Sequence, residues 1–324
     1  MSRIVELILD LISKIMDHKI VKQLSTLLLL FITCNDVNES NLVLLSEEIP
    51  EDSALVFGEG IISTDAFEFA ITFSPDMDEL FFTRRKPEED NAIYTSKLID
   101  GAWTSPELAF FTSDEGWDFE PHINPTGDRL YFGSIRPHPD TLYPRGLYQW
   151  YSEKLDNGWS QPIPLESPFA DRFVMYLTSS ENGNLYFTSM EEDDKMEDGA
   201  IYHVNNKNGS YESINRMGDA VNFQGKLIAH PFIAPDESYI IYDGEQESGF
   251  GESDLYISFN INGTWTQGYN LGPKINTEQT EMCASVSPDG EYLFFHRGGD
   301  ETGDIYWIKF APVKEAILTN ISMK

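Results

Sequence analysis

The segment Phe232-Ile-Ala-Pro-Asp-Glu-Ser-Tyr-Ile-Ile-Tyr242 indicates the fold, because the chain repeats its pattern five times. In each copy an apolar residue leads into a turn, and a run of apolar and aromatic residues follows. The five turns lie 50, 55, 55 and 53 residues apart and are Ser74-Pro75-Asp76, Asn124-Pro125-Thr126, Ser179-Ser180-Glu181, Ala234-Pro235-Asp236 and Ser287-Pro288-Asp289. A fixed period of this length predicts a repeat architecture, because each unit can bury its apolar face only against its neighbours.

Each repeat carries signals for four strands. The first strand precedes the turn, and a run such as Leu80-Phe81-Phe82 marks the second. An Ile-Tyr or Leu-Tyr pair such as Ile93-Tyr94 marks the third, and a glycine before an aromatic residue, as in Gly158-Trp159, announces the fourth. Four strands per unit at this period are typical of a propeller blade. We therefore predict an all-β fold, a five-bladed β-propeller of four-stranded blades over residues 53–312.

The two ends of the repeat array complete each other in this interpretation. The last repeat stops after its third strand, and only a tail, residues 313–324, follows it. Upstream of the first repeat, Ala54-Leu55-Val56-Phe57 stands where a fourth strand would lead into the next blade. We predict that this N-terminal strand completes the last blade, since an open array would leave edge strands unpaired.

The N-terminal segment is typical of a targeting signal. The apolar run Leu24–Ile32 follows two lysines and is too short to span a bilayer. We predict a signal peptide over residues 1–33, with Met16 as an alternative start, and lipidation at Cys34. Residues 34–52 are polar and acidic, as expected of a tether between a lipid anchor and the folded body.

Composition excludes several classes of partner. The chain has 54 acidic and 22 basic residues, a formal net charge of −32. A field of this sign repels nucleic acids and anionic membranes, so we predict no nucleic-acid partner and membrane contact only through the lipid at Cys34. With Cys34 lipidated, Cys283 is the remaining cysteine, which excludes an intrachain disulfide and predicts a buried strand thiol.

The repeats also resemble a known family. The turns Ser74-Pro-Asp-Met77 and Ser287-Pro-Asp-Gly290, the stretch 232–242, Ser253-Asp-Leu-Tyr-Ile-Ser-Phe259 and Gly303-Asp-Ile-Tyr-Trp307 resemble WD-repeat-like β-propellers of the TolB type, and more narrowly the envelope lipoproteins common in the Bacteroidetes. The resemblance covers about residues 50–312. It implies a propeller in the cell envelope, in a family without one established reaction, whose best understood relative is a periplasmic protein-interaction module.

Two repeats depart from the family pattern. The third has Ser179-Ser180-Glu181-Asn182-Gly183 at its turn. In the fourth, Asp243-Gly244-Glu245 replaces the Ser-Asn-Arg usual after the second strand. A ligand recognised through those arginines is therefore not implied for this chain.

Polar side chains near the channel of such a propeller are the candidate site. They stand at the starts of first strands or the ends of second strands and are Glu68, Glu120, His122, Arg172, His230, Glu281, Arg84, Arg136, His296 and Arg297. Converging at one mouth, they could bind a cation, a sugar or a peptide, or satisfy one another in a polar channel. Glu68 or Glu120 together with Glu281 could supply the two carboxylates of a glycosidase.

No catalytic or metal-binding motif is present, so we assign neither catalytic residues nor a metal site and predict no cofactor. Calcium in the acidic loops Glu88–Asp90 and Glu191–Asp194 stays an alternative. The leading hypothesis is a monomeric, non-enzymatic, lipid-anchored module of the periplasm or outer membrane of a Gram-negative bacterium. It would bind an envelope protein or glycan at one face of the ring. The alternative is a carbohydrate-active enzyme, a lyase or glycoside hydrolase, with carboxylates at the channel mouth.

Overall fold

The computed structural model describes residues 45–46, 48–113, 117–139, 146–191, 194–223, 226–299 and 301–322. The predicted signal peptide and Cys34 lie outside these residues. The described chain is nearly all β, with one α-helix and a short 3₁₀ turn at Met196–Asp198. None of its helices combines the length and the apolar character needed to cross a membrane.

The strands form five antiparallel meanders within the described residues, each following the order of the chain. The first contains β2 (Phe67–Phe73), β3 (Glu79–Arg85) and β4 (Ala92–Ile99), with β5 (Ala102–Trp103) and β6 (Glu107–Leu108) paired to β4. The second contains β7 (Asp118–Ile123), β8 (Arg129–Ser134) and β9 (Tyr148–Leu155), with β10 (Gly158–Trp159) and β11 (Ile163–Pro164) paired to β9.

The other three meanders have the same plan. The third contains β12 (Met175–Ser179), β13 (Leu185–Ser189), β14 (Ala200–Val204) and β15 (Asn215–Arg216). The fourth contains β16 (Lys226–Ile233), β17 (Tyr239–Glu245) and β18 (Asp254–Ile261), with β19 (Thr264–Trp265) and β20 (Tyr269–Asn270) paired to β18. The fifth contains β21 (Thr280–Val286), β22 (Tyr292–Gly298) and β23 (Gly303–Lys309).

The first strands of the meanders surround a common axis. Strand β2 contacts β7, β7 contacts β12, β12 contacts β16, β16 contacts β21, and β21 contacts β2 again. The fifth and first meanders also share a parallel bridge between Gly303 and Phe67. The contacts therefore close into a cycle of five strands, which encloses a channel.

An N-terminal strand joins the fifth meander. Strand β1 (Leu55–Val56) pairs antiparallel with β23, with Leu55 opposite Trp307 and Val56 opposite Tyr306. The amide of Phe57 donates to the carbonyl of Ile305 at 2.8 Å. The fourth position of this meander is therefore occupied by a segment from the other end of the chain.

Apolar cores fill the spaces between successive meanders. One cluster, for example, joins Phe81 and Phe111 of the first meander to Phe132 and Trp159 of the second. Trp159 is buried, and its ring and that of Phe81 are nearly perpendicular in a T-shaped contact. Successive side chains of a strand point to opposite faces of its sheet. Those on one face pack against the neighbouring meander, as expected for a repeat unit that buries its apolar face only against its neighbours.

The structure differs from the sequence-based expectation at three places. The Gly-Trp pairs extend hairpins at the ends of third strands, and the paired fourth position follows later, at β6, β11, β15 and β20. The turn of the third meander begins at Ser180, whose amide bonds the carbonyl of Asn184, one residue later than predicted. The predicted C-terminal tail is largely a helix, α1 (Phe310–Ser322), because Val313, Ile317 and Ile321 recur every fourth residue and pack on the last core.

Candidate functional site

Each first strand carries a β-bulge at the same place, four residues before its turn. The pairing register shifts there, and one non-glycine residue has a positive φ between 48° and 56°; these residues are Ala70, Glu120, Tyr176, His230 and Cys283. Such φ values are uncommon outside glycine and concentrate where a bulge redirects a side chain. All five residues are buried. We call them the bulge residues.

Three bulge residues meet at the centre of the ring. One ligand atom each from Glu120, His230 and Cys283 lies within 4.8 Å of the other two. Glu120 Oε1 is 3.7 Å from His230 Nε2. On its other nitrogen, Nδ1, His230 is 2.9 Å from both carboxylate oxygens of Asp243. We call Glu120, His230, Cys283 and Asp243 the central cluster.

Backbone hydrogen bonds fix the central cluster in place. The amide of Tyr176 donates to Glu120 Oε2 at 2.7 Å, which leaves Oε1 toward His230. The amide of Cys283 donates to Asp243 Oδ1 at 3.1 Å. The Tyr176 hydroxyl donates to the carbonyl of Ala284 at 2.8 Å. The cluster is thus held by neighbouring strands rather than by mobile loops.

Burial and mutual charge set the protonation of this cluster. Burial raises the pKa of Glu120 to about 7, although the nearby His230 opposes the change. Burial alone would lower the pKa of His230, but the Asp243 carboxylate holds it well above the ordinary value. Burial also raises the pKa of the Cys283 thiol to about 12. Perturbation by both desolvation and a specific charge partner is typical of functional sites.

Most of the predicted arginines and two of the predicted glutamates form buried ion pairs instead. The pairs join the start of a first strand to the end of the second: Arg84 with Glu68 at 2.8 Å, Arg136 with Asp118 at 2.7 Å and Arg297 with Glu281 at 2.8 Å. Each arginine also donates to a backbone carbonyl of the segment entering its meander. These side chains therefore hold the segment that leads into each first strand against the end of the second strand.

Arg172 has a related place in the third meander. Its Nε donates to Ser189 Oγ at 2.8 Å, and its guanidinium group lies 4.5 Å from the centre of the Tyr202 ring. Glu191 is 3.5 Å away and exposed. Arg172 therefore also serves the entry to a first strand, with a hydroxyl in place of the buried carboxylate.

A cavity of about 360 Å³ lies at the end of the channel next to the Pro-Asp turns. All five first strands line it, and Pro75, Pro125, Pro235 and Pro288 stand among its lining residues. Glu120, His122 and Tyr176 line it as well, so the cavity reaches the bulge residues. The ion-paired Glu68 and Glu281 are not among its lining residues.

The two remaining candidate histidines have partners in the fold. His122 Nε2 accepts the amide of Ser179 at 3.0 Å, and burial lowers the pKa of His122 to about 3. His296 Nδ1 donates to the carbonyl of Glu68 at 2.7 Å, and burial lowers its pKa to about 4. Both histidines are therefore neutral, and of the two only His122 faces the cavity.

The structure thus divides the predicted residues into two sets. Glu120, His122 and His230 lie at the cavity or in the central cluster. The four arginines, Glu68 and Glu281 hold the entries to first strands, and His296 is bonded to the carbonyl of Glu68. Sequence reasoning missed Asp243 and the role of Cys283. The signal for Cys283 was the repeat itself, because the position four residues before each turn holds the bulge residue. The signal for Asp243 was the departure of Asp243-Gly244-Glu245 from the pattern usual after the second strand.

No protein-family model matches this sequence, and neither does any curated protein. Among solved structures, the fold is similar to the endo-arabinase from Bacteroides thetaiotaomicron, 14% identical, covering 81% of this chain and 96% of that one, with a TM-score of 0.51. It is also similar to the putative TolB from Agrobacterium tumefaciens, 13% identical, covering 76% and 78%, with a TM-score of 0.48.

The third similar structure is TolB from Acinetobacter baumannii, 15% identical, covering 76% of this chain, with a TM-score of 0.46. The match spans about 55% of that TolB. The endo-arabinase, with the TM-score above 0.5, is a β-propeller, and the described residues are nearly all β, which confirms the predicted fold class at that level. At such identities the similarity shows the fold alone.

Proposed function

We propose that this chain is a lipid-anchored, five-bladed β-propeller of the bacterial cell envelope, in which each meander is one blade and β1 completes the fifth. In this proposal it is a monomeric binding module that receives an apolar segment of an envelope protein in the cavity beside the Pro-Asp turns. The cavity carries the proposal, because its volume falls within the range of about 300–1,000 Å³ typical of ligand pockets. The anchor at Cys34 rests on the sequence of the signal segment.

The walls of the cavity favour an apolar ligand over a glycan. Its hydroxyl groups already hold neighbouring strands together: Thr72 Oγ1 accepts the amide of Ile123 at 3.0 Å, Thr178 Oγ1 donates to the carbonyl of Pro231, and Ser285 Oγ donates to the carbonyl of Ile71. A sugar would need free polar partners, whereas the lining prolines and aromatic residues offer apolar surface.

The enzymatic alternative has less support. A glycosidase needs two carboxylates on either side of the scissile bond. Glu68 and Glu281 are each bound to an arginine and lie away from the cavity lining, which leaves Glu120 as the one deeply placed carboxylate among the described lining residues. The acidic rim residue Glu181 is exposed and belongs to a turn.

In-cell photocrosslinking tests the proposal. A photoreactive phenylalanine analogue at Glu181, on the cavity rim, should yield a discrete crosslinked envelope protein, because the ligand passes this position. The same analogue at Glu107, an exposed residue on the outer strand β6, is the matched control and should yield none. The crosslink at Glu181 should disappear when Val286→Phe fills the cavity.

Oligosaccharide cleavage measured on the same preparations separates the two functions. Turnover that Glu120→Gln abolishes, without a crosslink at Glu181, would assign the cavity to an enzyme. Equal crosslinking at both positions would show that contact with the envelope protein is unspecific. Either result overturns the binding proposal.

A further inference from the structure

The bulge residues place three different metal-ligating groups at one point. Glu120 offers a carboxylate oxygen, His230 an imidazole nitrogen and Cys283 a sulfur, all buried and within 4.8 Å of one another. The other two bulge residues, Ala70 and Tyr176, surround the group within the central apolar cluster. Three converging donors of different chemistry are not needed to pack the centre of a ring.

Asp243 differs in residue type from the residues that accept the same backbone hydrogen bond in other meanders. In two other meanders, a threonine hydroxyl on the second strand accepts the amide of the next bulge residue: Thr83 from Glu120 at 2.9 Å, and Thr188 from His230 at 2.9 Å. Asp243 accepts the amide of Cys283 at this position. A hydroxyl is sufficient for that bond, so the carboxylate has a further task.

The further task of the Asp243 carboxylate is to orient the ring of His230. The Asp243 carboxylate lies on Nδ1 and fixes the ring with Nε2 directed toward Glu120. Metal-binding histidines are typically held in this way, with a carboxylate on the nitrogen that does not bind the ion. Glu120 is held similarly, since its second oxygen accepts the amide of Tyr176.

We propose that Glu120, His230 and Cys283 bind a divalent transition-metal ion of the zinc type. Ligands about 2.1 Å from a tetrahedral ion lie about 3.4 Å apart, close to the 3.7 Å between Glu120 Oε1 and His230 Nε2. Thiolate and imidazole favour such an ion over calcium or magnesium, which prefer oxygen ligands. Three protein ligands would leave a fourth position for water or another ligand, and Glu120 also lines the cavity.

The cluster can take up a divalent ion without gaining net buried charge. Without an ion, the cluster buries two carboxylates beside a single imidazole, and buried charge is costly unless compensated. A divalent ion balances the Glu120 carboxylate and the Cys283 thiolate, and two protons pass to solvent on binding: that of the Cys283 thiol and that of His230, which binds a metal as the neutral imidazole. The ion would therefore stabilise the centre of the ring whatever segment enters the cavity, and the inference goes beyond the proposed binding function.

Cobalt binding to the full-length chain tests the site. A Cys34→Ser background makes Cys283 the only thiol, so that a thiolate signal has one source. After chelator treatment and dialysis against Co²⁺, we expect one ion per chain by elemental analysis, with a near-ultraviolet thiolate-to-cobalt charge-transfer band. Zn²⁺ should displace it. A parent chain that retains no cobalt, or retains it without this band, overturns the proposal with no ligand variant needed.

Variants then assign the ligands. Cys283→Ser should remove the charge-transfer band, and Asp243→Asn should weaken cobalt affinity about 10–100-fold, as loss of a residue that orients a ligand does. His203→Gln, a half-buried histidine of β14 outside the cluster, is the matched control and should bind as the parent does. Parental binding by both Glu120→Gln and His230→Gln would also overturn the proposal.

Discussion

The same buried arginine–carboxylate ion pair recurs in several meanders of this molecule. The side chains of Glu68, Asp118 and Glu281 have no exposed surface, and each carboxylate meets one guanidinium group. Burying both charges is expensive, so the net stability from such a pair is small. Breaking it is costly, because the remaining charge stays buried without a partner.

Arg297→Met should therefore lower the free energy of unfolding by about 3–5 kcal/mol, because it leaves Glu281 unpaired. Replacing both residues, with Glu281→Leu added, should recover most of the loss in chemical denaturation. Lys207→Met removes an exposed pair with Glu212 and should change stability by less than about 1 kcal/mol. If Arg297→Met costs no more than this control, the buried pair does not brace the first strand.

The ionisation of Asp304 makes the stability of the folded protein depend on pH. Burial, with the nearby charges of Glu68, Glu59 and Asp65, raises the pKa of Asp304 to about 6. Because the folded-state pKa is above the ordinary 3.8, the stability that the protonated carboxyl contributes is present at low pH and is lost as pH rises through about 6.

Asp304→Asn should then raise the melting temperature relative to the parent, and by clearly more at about pH 8 than at about pH 5, where roughly half of the loss of stability between the ordinary pKa of 3.8 and the folded-state pKa of about 6 has occurred. Both conditions lie above the isoelectric pH of about 4.3, where solubility is retained. Thermal melts across this range check the result. A difference between variant and parent that stays constant with pH would contradict the assigned ionisation.

The sequence predicted the candidate residues better than their grouping. Glu120 and His230 were predicted as channel-facing residues because they were placed at the starts of first strands. Cys283 lies at the equivalent place, four residues before its turn, but its apolar neighbours indicated only a buried thiol. The pairing of Glu68 and Glu281 with arginines depends on strand register, and a bulge shifts that register by an amount that alternation of residues does not reveal.

Among the secondary-structure elements, the long strands were predictable from the sequence, whereas the short fourth strands and the C-terminal helix were not. The Leu-x-Phe runs mark second strands because alternating large apolar residues must face the adjoining core. The two-residue fourth strands carry too few residues for a period to be detected. Helix α1 was missed because the repeat pattern ends before it, so the segment was predicted as a tail. Pro312 is compatible with the first turn of this helix.

The packed face of α1 can be tested directly. Ile317 is half-buried against the last core cluster, whereas Ala316 is exposed on the same helix. Ile317→Asp should lower the free energy of unfolding by on the order of 2 kcal/mol, since it places a charge on apolar surface. Ala316→Asp is the control and should stay close to the parent in denaturant titrations. Equal effects would show that α1 does not pack through this face.

For the whole molecule, the two chain ends meet in one sheet. The contacts between first strands form a cycle, and β1 adds to the edge of β23. Phe57 follows β1, is fully buried, and contacts Phe73, Phe294 and Trp307. Its cluster joins the first and fifth meanders, so this segment stabilises the junction where the repeat array closes.

Removing residues 53–62 should therefore destabilise the entire ring rather than its N-terminus alone. The deletion takes away the partner of β23 and leaves a space in the shared core, and Phe57→Ala alone should cost about 3–5 kcal/mol. Ile61→Ala, at an exposed position of the same segment, is the matched control. Hydrogen exchange should show β2 and β23 losing protection together, because both border the junction. A deletion variant that melts like the parent would show that the ring closes without β1.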